Sequence, residues 1–310
     1  MKRELTKTFT KIVLVFCVCA TQVLFAQVQV IDDFGNEVSL SAPAERIVSL
    51  APHVTESLFA AGAGDKIVAT VQFSDFPAAA ADIPQIGSSR EISLESLVSA
   101  DPDLVIIWAS FNGEELAERI KSLGYTVYLD EPRRLEDIAN AISRFGTLAG
   151  TGEVAEAAAK DFTTRHNRLR DSYSNLESVK VFYEIWNEPL TTLNGDHLIS
   201  DIIQMCGGRN VFEAAIPIAP VVSTESVLSA DPQLIVVSGM DEERPEWLDE
   251  WQDWPGLSAA ENGHLRFIPP DLLQRSAPRV IQGAEMMCEY ISDVRGDVRD
   301  DASGQEVGAN

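Results

Sequence analysis

The apolar positions of this chain follow a pattern that occurs twice. Residues 93–107 have the sequence SLESLVSADPDLVII, and residues 223–237 have the sequence STESVLSADPQLIVV. In each copy apolar residues recur at helical spacing, and an Asp-Pro pair then ends the helix because the residue before proline disfavours the α region. The aliphatic run that follows is typical of a strand buried on both faces. A repeated unit of this length predicts two lobes of similar plan.

The first residues of each copy favour the amino terminus of a helix. Ser93 and Ser223 are suitable N-cap residues. Glu95 and Glu225 follow in the first turn, where the positive end of the helix dipole favours a negative charge. Taken alone, this pattern makes both glutamates ordinary acidic residues of a first helical turn.

Strands and helices alternate along most of the remaining chain. Alternating residues on both sides of a Gly-Asn turn predict a hairpin over residues 28–40. Further strands are predicted at 46–50, 66–71, 125–129, 180–185 and 264–268, and helices at 51–61, 114–123, 135–149, 201–205 and 278–294. This alternation predicts an α/β fold in which helices cover both faces of a parallel sheet.

One further predicted helix is long. Residues 153–176 contain no proline or glycine and would span roughly 36 Å as a single helix. A helix of this length between two α/β lobes would be a stiff connector. The predicted division is a first lobe, the connector helix, a second lobe and a polar disordered tail, at residues 27–150, 151–176, 177–293 and 294–310.

The first 26 residues have the composition of a secretory signal peptide. Basic residues precede a nearly uncharged apolar run over Ile12–Ala26, which is short for a membrane span and suits a signal peptide. Cleavage after Ala26 satisfies the requirement for a small residue at that position. These residues predict an exported protein, and the alternative is an uncleaved membrane anchor.

Charge and cysteine content narrow the classes of function. A formal net charge of −24 argues against binding to nucleic acid or to anionic membranes. Beyond the signal segment only Cys206 and Cys288 remain, and an even pair in an exported protein favours a disulfide over two buried thiols. The four histidines are scattered without a recognisable metal-ligand spacing, so no metal site is expected.

A series of short motifs resembles the periplasmic substrate-binding proteins of the ABC importers for cobalamin, iron-siderophores and haem. The resemblance covers residues 28–292 and depends on the order and spacing of the motifs together. They are Arg46–Pro52 followed by Thr55-Glu56, Phe73–Pro77, Asp101–Val105, Leu123-Gly124, Cys206–Gly208 and Ser276–Arg279. The chain most resembles the vitamin B12-binding branch, whose Asp-x-x-x-Arg motif is present as Asp271 and Arg275.

This resemblance implies two Rossmann-like lobes joined by one rigid helix, with the ligand held in the cleft between them. The implied role is capture and delivery of a ligand, without catalysis. A monomer in the periplasm would work with a membrane permease and its ATPase, and Glu95 and Glu225 match the glutamates that dock on permease arginines. Cys206 and Cys288 match the cysteines that pair with each other in the B12-binding branch.

The resemblance also indicates where a ligand would bind. Ligands of open α/β sheets lie beyond the carboxyl ends of the strands, and a corrin needs apolar walls with a few polar anchors. The candidate ligand-binding residues are Phe73, Phe76, Trp108 and Trp186 as walls, and Asp271 and Arg275 as anchors. Ser89 and Ala219 stand where the B12-binding branch has tryptophans. The expected ligand is cobalamin or a related corrinoid, without any other cofactor, and an iron-siderophore or haem is the alternative.

Two other classes of function remain as alternatives. His53 and His264 each lie three residues from a glutamate, which leaves open an exported metal-dependent enzyme. The sequence has no P-loop, no nucleophile elbow and no GxGxxG motif after the first strand, so an enzyme is not expected. The other alternative is a surface interaction protein that uses the same fold without transport.

Overall fold

A computed structural model describes residues 27–88, 91–174, 176–239 and 243–307 of the 310-residue chain. The predicted signal peptide, residues 1–26, lies outside the described residues. Among the described residues, no helix is both long enough and apolar enough to cross a membrane.

The first lobe contains a parallel four-stranded sheet, preceded by a hairpin. The antiparallel hairpin consists of β1 (Val28–Ile31) and β2 (Glu37–Leu40). The sheet strands, in the order β4-β3-β5-β6, are β3 (Ile47–Ser49), β4 (Ile67–Ala69), β5 (Leu104–Trp108) and β6 (Val127–Asp130). Almost every residue of β3 to β6 is buried because helices cover both faces of the sheet.

The second lobe repeats this arrangement. Its strands are β7 (Val179–Glu184), a small antiparallel hairpin of β8 (Trp186–Asn187) and β9 (Leu190–Thr191), then β10 (Gly208–Asn210), β11 (Leu234–Val237) and β12 (Leu265–Phe267). The parallel sheet has the order β10-β7-β11-β12. The strands of the sequence repeat, β5 and β11, occupy equivalent inner positions in the two sheets.

Ten α-helices complete the described chain. They are α1 (Pro52–Ala60), α2 (Leu94–Ala100), α3 (Ala109–Ser122), α4 (Leu135–Ala149), α5 (Gly152–Tyr173), α6 (Leu198–Met205), α7 (Thr224–Ala230), α8 (Ser258–Glu261), α9 (Pro270–Leu273) and α10 (Val280–Val307). A 3-10 helix at Glu246–Asp253 lies between β11 and α8.

Helix α5 is the long helix expected from the sequence, and it stands in the chain between the two sheets. Its buried residues Ala155, Phe162 and Leu169 belong to one hydrophobic cluster that also contains residues of both sheets. The role of α5 as a rigid connector stays a prediction.

The two copies of the repeat have the same local architecture. Ser93 and Ser223 cap α2 and α7, and each side chain accepts a hydrogen bond from the backbone N–H three residues later, as expected. Each helix ends at an aspartate in the left-handed region, with φ of 44° at Asp101 and 45° at Asp231. The helix is therefore stopped one residue before the proline in both lobes.

Each repeat helix is also tied to the first strand of its own sheet. In the first lobe, Arg46 donates to the carbonyl of Ala100 at 3.1 Å, and the Asp103 carboxylate accepts from the Arg46 backbone N–H at 3.1 Å. In the second lobe, Lys180 donates to the carbonyl of Ala230 at 2.9 Å, and the Gln233 amide oxygen accepts from the Lys180 backbone N–H at 3.0 Å. The repeat thus preserves a connection between helix and strand as well as a hydrophobic pattern.

The described structure differs from the sequence expectation at the carboxyl end. Helix α10 continues to Val307, so residues 294–307 are helical where the sequence predicted a disordered tail. The expectation was based on polarity and the absence of aromatic residues, but the acidic and basic residues there are also compatible with a helix. Residues 308–310 lie outside the described residues.

The predicted disulfide is present. Cys206, which follows α6, is bonded to Cys288 of α10, and both residues are fully buried. The bond closes a separation of 82 residues within the second lobe.

Candidate functional site

Two phenylalanines at the carboxyl edge of the first sheet are exposed. Phe73 and Phe76 lie in the loop after β4, with 72% and 40% of their surfaces exposed. Beneath them, the buried hydroxyl of Thr55 donates to Ser74 at 3.2 Å and lies 2.7 Å from the hydroxyl of Ser49. These buried hydroxyls satisfy one another and fix the loop, while both rings remain accessible.

The second lobe presents an apolar row of its own. Trp186 lies opposite Thr191 in the β8–β9 hairpin, and Thr191 forms an antiparallel bridge with Val221. Directly opposed residues of antiparallel strands project to the same face, so Trp186, Thr191 and Val221 form one surface, here called the second-lobe wall. Trp186 is 39% exposed and Val221 is 65% exposed. The indole N–H of Trp186 donates to the carbonyl of Glu188 at 2.7 Å, which orients the ring.

Five charged side chains of alternating sign connect the two lobes, and we call them the ionic chain. The Arg275 guanidinium contacts Asp75 of the first lobe at 2.7 Å and Asp271 of the second lobe at 2.8 Å. Arg279 lies 3.5 Å from the other oxygen of Asp271 and 2.9 Å from the carboxylate of Glu56 in the first lobe. Each arginine therefore bridges one carboxylate of each lobe.

The inner end of the ionic chain is buried. Glu56 is only 3% exposed and accepts hydrogen bonds from the backbone N–H and the Nε of Arg279, at 3.0 Å and 2.9 Å. The same guanidinium lies 3.8 Å from the ring centroid of Phe76, a cation–π contact. The Nη2 atom of Arg279 is buried and has no hydrogen-bond partner in the part of the protein that the structure describes.

Electrostatics differ between the two ends of the ionic chain. Burial raises the pKa of Glu56, and the charge and hydrogen bonds of Arg279 oppose this effect without cancelling it. At the exposed end, burial of Asp75 is modest and the hydrogen bond and charge of Arg275 hold its pKa below the usual range. Asp75 is therefore a carboxylate at neutral pH, and the Asp75–Arg275 pair is ionic.

A cavity of about 360 Å³ lies beside the ionic chain between the lobes. The first lobe and α5 contribute Glu56, Phe59, Ala60, Phe76, Pro77 and Arg165, and the second lobe contributes Pro278, Arg279 and Gln282. The cavity joins apolar walls to guanidinium groups, which is the combination expected for an organic ligand with polar substituents.

Trp108 has a different environment from the other candidate wall residues. It is half-buried, packs against the hydrophobic core and contacts the His53 ring edge to face, with centroids 5.1 Å apart. His53 is itself buried and lies 3.0 Å from a carboxylate oxygen of Asp130. Burial raises the pKa of Asp130, against the hydrogen bond and charge of His53. Trp108 thus belongs as much to the core as to the edge of the sheet.

The two glutamates of the repeat occupy equivalent exposed positions. Glu95 and Glu225 are each the second residue of their helix, directly after the first residue of the capped turn. The pKa of Glu225 is lowered because its own backbone N–H and the Ser223 hydroxyl donate to the carboxylate. One exposed carboxylate per lobe is therefore presented in the same local geometry.

The structure brings the predicted anchors together and adds partners that the sequence did not indicate. Asp271 and Arg275 are in contact, but Arg275 also binds Asp75, and Arg279 and Glu56 complete the set. Asp75 and Arg279 lie inside the recognised motifs, yet the pairing of Asp75 with Arg275 and of Arg279 with Glu56, over 200 and 223 positions, has no local signal in the sequence. Ala219 is exposed next to the second-lobe wall, and Ser89 lies outside the described residues.

Within residues 27–88, 91–174, 176–239 and 243–307, no group of three or more His, Cys, Asp and Glu side chains is placed to hold a metal ion.

The family model described as periplasmic binding protein matches residues 47–272, which is most of both lobes. The chain belongs to this family. Its members are substrate-binding proteins of ABC importers and are not enzymes, so the family and the two-lobed α/β fold expected from the sequence are both confirmed.

Several relatives of the family are similar over most of their length. A vitamin B12-binding protein of Vibrio cholerae is 35% identical over 250 residues, covering 80% of this chain and 90% of the relative. One of Vibrio vulnificus is 32% identical, covering 82% and 92%. The crystal structure of the periplasmic vitamin B12 binding protein BtuF of Vibrio cholerae gives a TM-score of 0.75 at 34% identity, covering 82% of this chain and 98% of that one.

Haem-binding proteins share the fold at lower identity. The periplasmic heme-binding protein RhuT from Roseiflexus sp. RS-1 gives a TM-score of 0.70 at 22% identity, covering 81% of this chain and 99% of that one. At this identity the likeness establishes the fold alone.

Proposed function

We propose that this protein captures cobalamin or a related corrinoid in the cleft between its lobes and delivers it to the permease of an ABC importer. The observation that carries the proposal is the similarity, over four-fifths of the chain, to the vitamin B12-binding protein of Vibrio cholerae. The protein acts as a monomer and binds no cofactor other than the transported ligand.

The apolar surfaces of the two lobes support a large, flat ligand. Phe73 and Phe76 on the first lobe, and Trp186 and Val221 on the second, are exposed although each is strongly hydrophobic. Apolar side chains that form a contiguous exposed patch with a polar rim are typical of a ligand-binding groove. Val221 lies two residues from Ala219, so the wall there is aliphatic where the B12-binding branch has a tryptophan.

The ionic chain supports polar recognition at the same place. A corrin carries amide groups around its edge, and the Asp75–Arg275 pair offers both donors and acceptors to them. A ligand amide that hydrogen bonds to Asp75 and Arg275 would displace part of their ion pair. Because 55% of the Asp75 side chain is exposed, this ion pair contributes little free energy, and displacing it costs little.

Export to the periplasm is the second part of the proposal. Residues 1–26 act as a signal peptide cleaved after Ala26, which places the folded lobes where family members meet their permease. The ATPase of the importer supplies the energy for transport, and this protein contributes binding only.

Ligand identity is tested with the purified mature protein. The protein is mixed with cyanocobalamin, dialysed and examined for retained corrin absorbance and for quenching of tryptophan fluorescence, with haemin and a ferric siderophore in parallel. Retention of one corrinoid per protein is expected. Absence of both signals at micromolar cyanocobalamin, or retention of haemin or the siderophore instead, would reject the proposed cargo.

Docking is tested by reversing the two repeat glutamates. Glu95→Lys combined with Glu225→Lys should leave corrinoid affinity unchanged and abolish ligand-stimulated ATPase activity of the reconstituted importer, because permease arginines would meet like charges. Glu153→Lys is the matched control, since Glu153 is exposed and is also the second residue of its helix, α5. Lost corrinoid affinity in the double variant, or equal loss of stimulation in the control, would contradict docking through this pair.

A further inference from the structure

A second cavity lies in the second lobe, and all of its lining residues belong to that lobe. Its volume is about 360 Å³, and it is lined by Glu184, Asn187, Glu188, Leu190, Thr224, Trp247, Glu250, Trp251 and Trp254. Three of these nine residues are tryptophans and three are glutamates. None of the described lining residues is basic. We call this cavity the tryptophan–glutamate pocket.

The pocket is on the opposite side of the β8–β9 hairpin from the second-lobe wall. Side chains alternate between the two faces of a strand, and Asn187 and Leu190 form the hairpin pair next to Trp186 and Thr191. Since Asn187 and Leu190 line the pocket, Trp186 and Val221 point to the other face. A ligand in the pocket and a ligand against the wall therefore contact different side chains.

Glu184 is the unusual residue of the pocket. It is the last residue of β7, in the interior of the sheet, and only 1% of it is exposed. One carboxylate oxygen accepts a hydrogen bond from the indole N–H of Trp251 at 2.7 Å. Among the described residues, no Lys, Arg or His forms an ion pair with Glu184, and its second oxygen has no hydrogen bond, so the carboxyl group at the pocket has one oxygen free to accept from a guest.

The electrostatics of the pocket favour a positive guest. Burial raises the pKa of Glu184 to about 7, the Trp251 hydrogen bond opposes this rise, and the nearby negative charge of Glu250 adds to it. Glu188, from the hairpin, places a third carboxylate at the same cavity. The indole rings of Trp247 and Trp254 offer π surfaces, and tryptophan is the best aromatic partner for a cation.

We propose that the tryptophan–glutamate pocket binds an organic ammonium group. The tryptophans supply cation–π contacts, and Glu184 supplies a buried counter-charge or hydrogen-bond acceptor at the bottom of the site. The volume of the cavity is that of a small organic molecule and is larger than a bare metal ion needs. Its indole-lined surface favours an ammonium ion with carbon substituents on its nitrogen. This inference does not depend on the identity of the ligand between the lobes.

The test uses choline, its neutral carbon isostere dimethylbutanol, and butylammonium as a primary ammonium ion. Each is titrated into the purified mature protein and followed by tryptophan fluorescence and calorimetry. Choline or butylammonium should bind at least about tenfold more tightly than the neutral isostere, the factor that about 1.4 kcal/mol of charge recognition produces. Tighter binding of choline assigns a quaternary guest, and tighter binding of butylammonium assigns a guest that donates hydrogen bonds to Glu184.

Two variants locate the binding. Glu184→Gln keeps an acceptor for Trp251 and removes the charge, and Trp254→Ala removes an exposed ring without disturbing the core. Each should weaken binding about tenfold or more, whereas the control Phe34→Ala, which removes an exposed ring of the first lobe, should leave it unchanged. Wild-type affinity should also rise between pH 6 and pH 8 as Glu184 loses its proton beside Glu188 and Glu250, and Glu184→Gln should not show that rise.

Three results would overturn the proposal. They are equal binding of the neutral isostere and of both ammonium ions, no binding of either ammonium ion at millimolar concentration, and loss of binding in Phe34→Ala with none in Glu184→Gln and Trp254→Ala. Because the ammonium titrations require no corrinoid, their failure is distinguishable from failure of the proposed transport function.

Discussion

Replacing Arg279 by methionine should destabilise the protein by an amount that depends strongly on pH. Methionine keeps the backbone N–H that binds Glu56 and much of the aliphatic volume, but it removes the guanidinium 2.9 Å from that carboxylate. Asp271 still has Arg275 as a partner at 2.8 Å. The substitution therefore leaves one charge, the buried carboxylate of Glu56, without a counter-ion.

The magnitude follows from the burial of Glu56. Removing one partner of a buried ion pair typically costs about 3–5 kcal/mol. Protonation of Glu56 limits this cost to about 1.4 kcal/mol for each pH unit above the pKa, which for an ordinary pKa near 4.3 is about 4 kcal/mol at pH 7 and about 1 kcal/mol at pH 5. Because the pKa of Glu56 is already raised, these figures are upper bounds. We expect Arg279→Met to lose at most about 3–4 kcal/mol at pH 7 and at most about 1 kcal/mol at pH 5.

The sign of the pH dependence follows from proton binding. Burial already raises the pKa of Glu56 beside Arg279, and removal of the guanidinium should raise it further. Folded Glu56 then holds a proton that the unfolded chain has released, so stability falls as pH rises from the unfolded pKa towards the folded one. Denaturant unfolding at pH 5 and pH 7 measures the difference.

A matched control and a double variant complete the experiment. Arg165→Met breaks the pair with Glu285, whose side chain is 42% exposed, and should cost less than about 1 kcal/mol at both pH values. Glu56→Gln added to Arg279→Met removes the stranded charge and should recover most of the loss at pH 7. An Arg279→Met loss that is the same at pH 5 and pH 7, or no larger than the Arg165→Met loss, would refute the reasoning.

Three further predictions concern the second lobe and the cleft. Converting Cys206 and Cys288 together to serine should lower the free energy of unfolding by roughly 4–5 kcal/mol, because the bond closes a loop of 82 residues, and denaturant unfolding of the two forms would show this. Phe73→Ala and Trp186→Ala should each weaken cyanocobalamin binding about tenfold while leaving the unfolding midpoint within a degree or two of wild type, since both rings are exposed; unchanged affinity in equilibrium dialysis would remove them from the site. Glu184→Gln should be more favourable for the stability of the ligand-free protein at pH 8 than at pH 5, by about 3 kcal/mol, because the wild-type protein loses stability as Glu184, with its pKa raised to about 7, is ionised in the fold. Thermal unfolding of both proteins at the two pH values would measure this difference.

Most strands and helices of the fold could be predicted from local patterns in the sequence. The repeat gave α2 with β5 and α7 with β11, and strand–helix alternation gave both parallel sheets, because apolar runs flanked by Gly, Pro and Asp carry strong short-range signals. The strand β10 was missed since Gly208-Arg209-Asn210 is short and polar, and its place at the sheet edge is set by pairing with β7.

Only part of the candidate site could be predicted from the sequence, because some of its contacts join residues that are far apart in the chain. Aromatic residues near strand ends pointed to Phe73, Phe76 and Trp186, which are exposed as a wall requires. Trp108 satisfied the same positional rule yet packs on His53, since a side chain at the end of a buried strand can turn towards either core or solvent. The contact between Glu56 and Arg279 joins residues 223 positions apart and has no periodic or compositional signal.

The ties between Arg46 and α2, and between Lys180 and α7, have a consequence for measurement. Each repeat helix moves with the sheet to which it is bonded, so the spacing between Glu95 and Glu225 is fixed while the lobes hold still and changes only when one lobe rotates against the other. The distance between those two positions therefore measures the angle between the lobes. A probe pair attached there reports the opening of the cleft directly, without touching any residue that lines it.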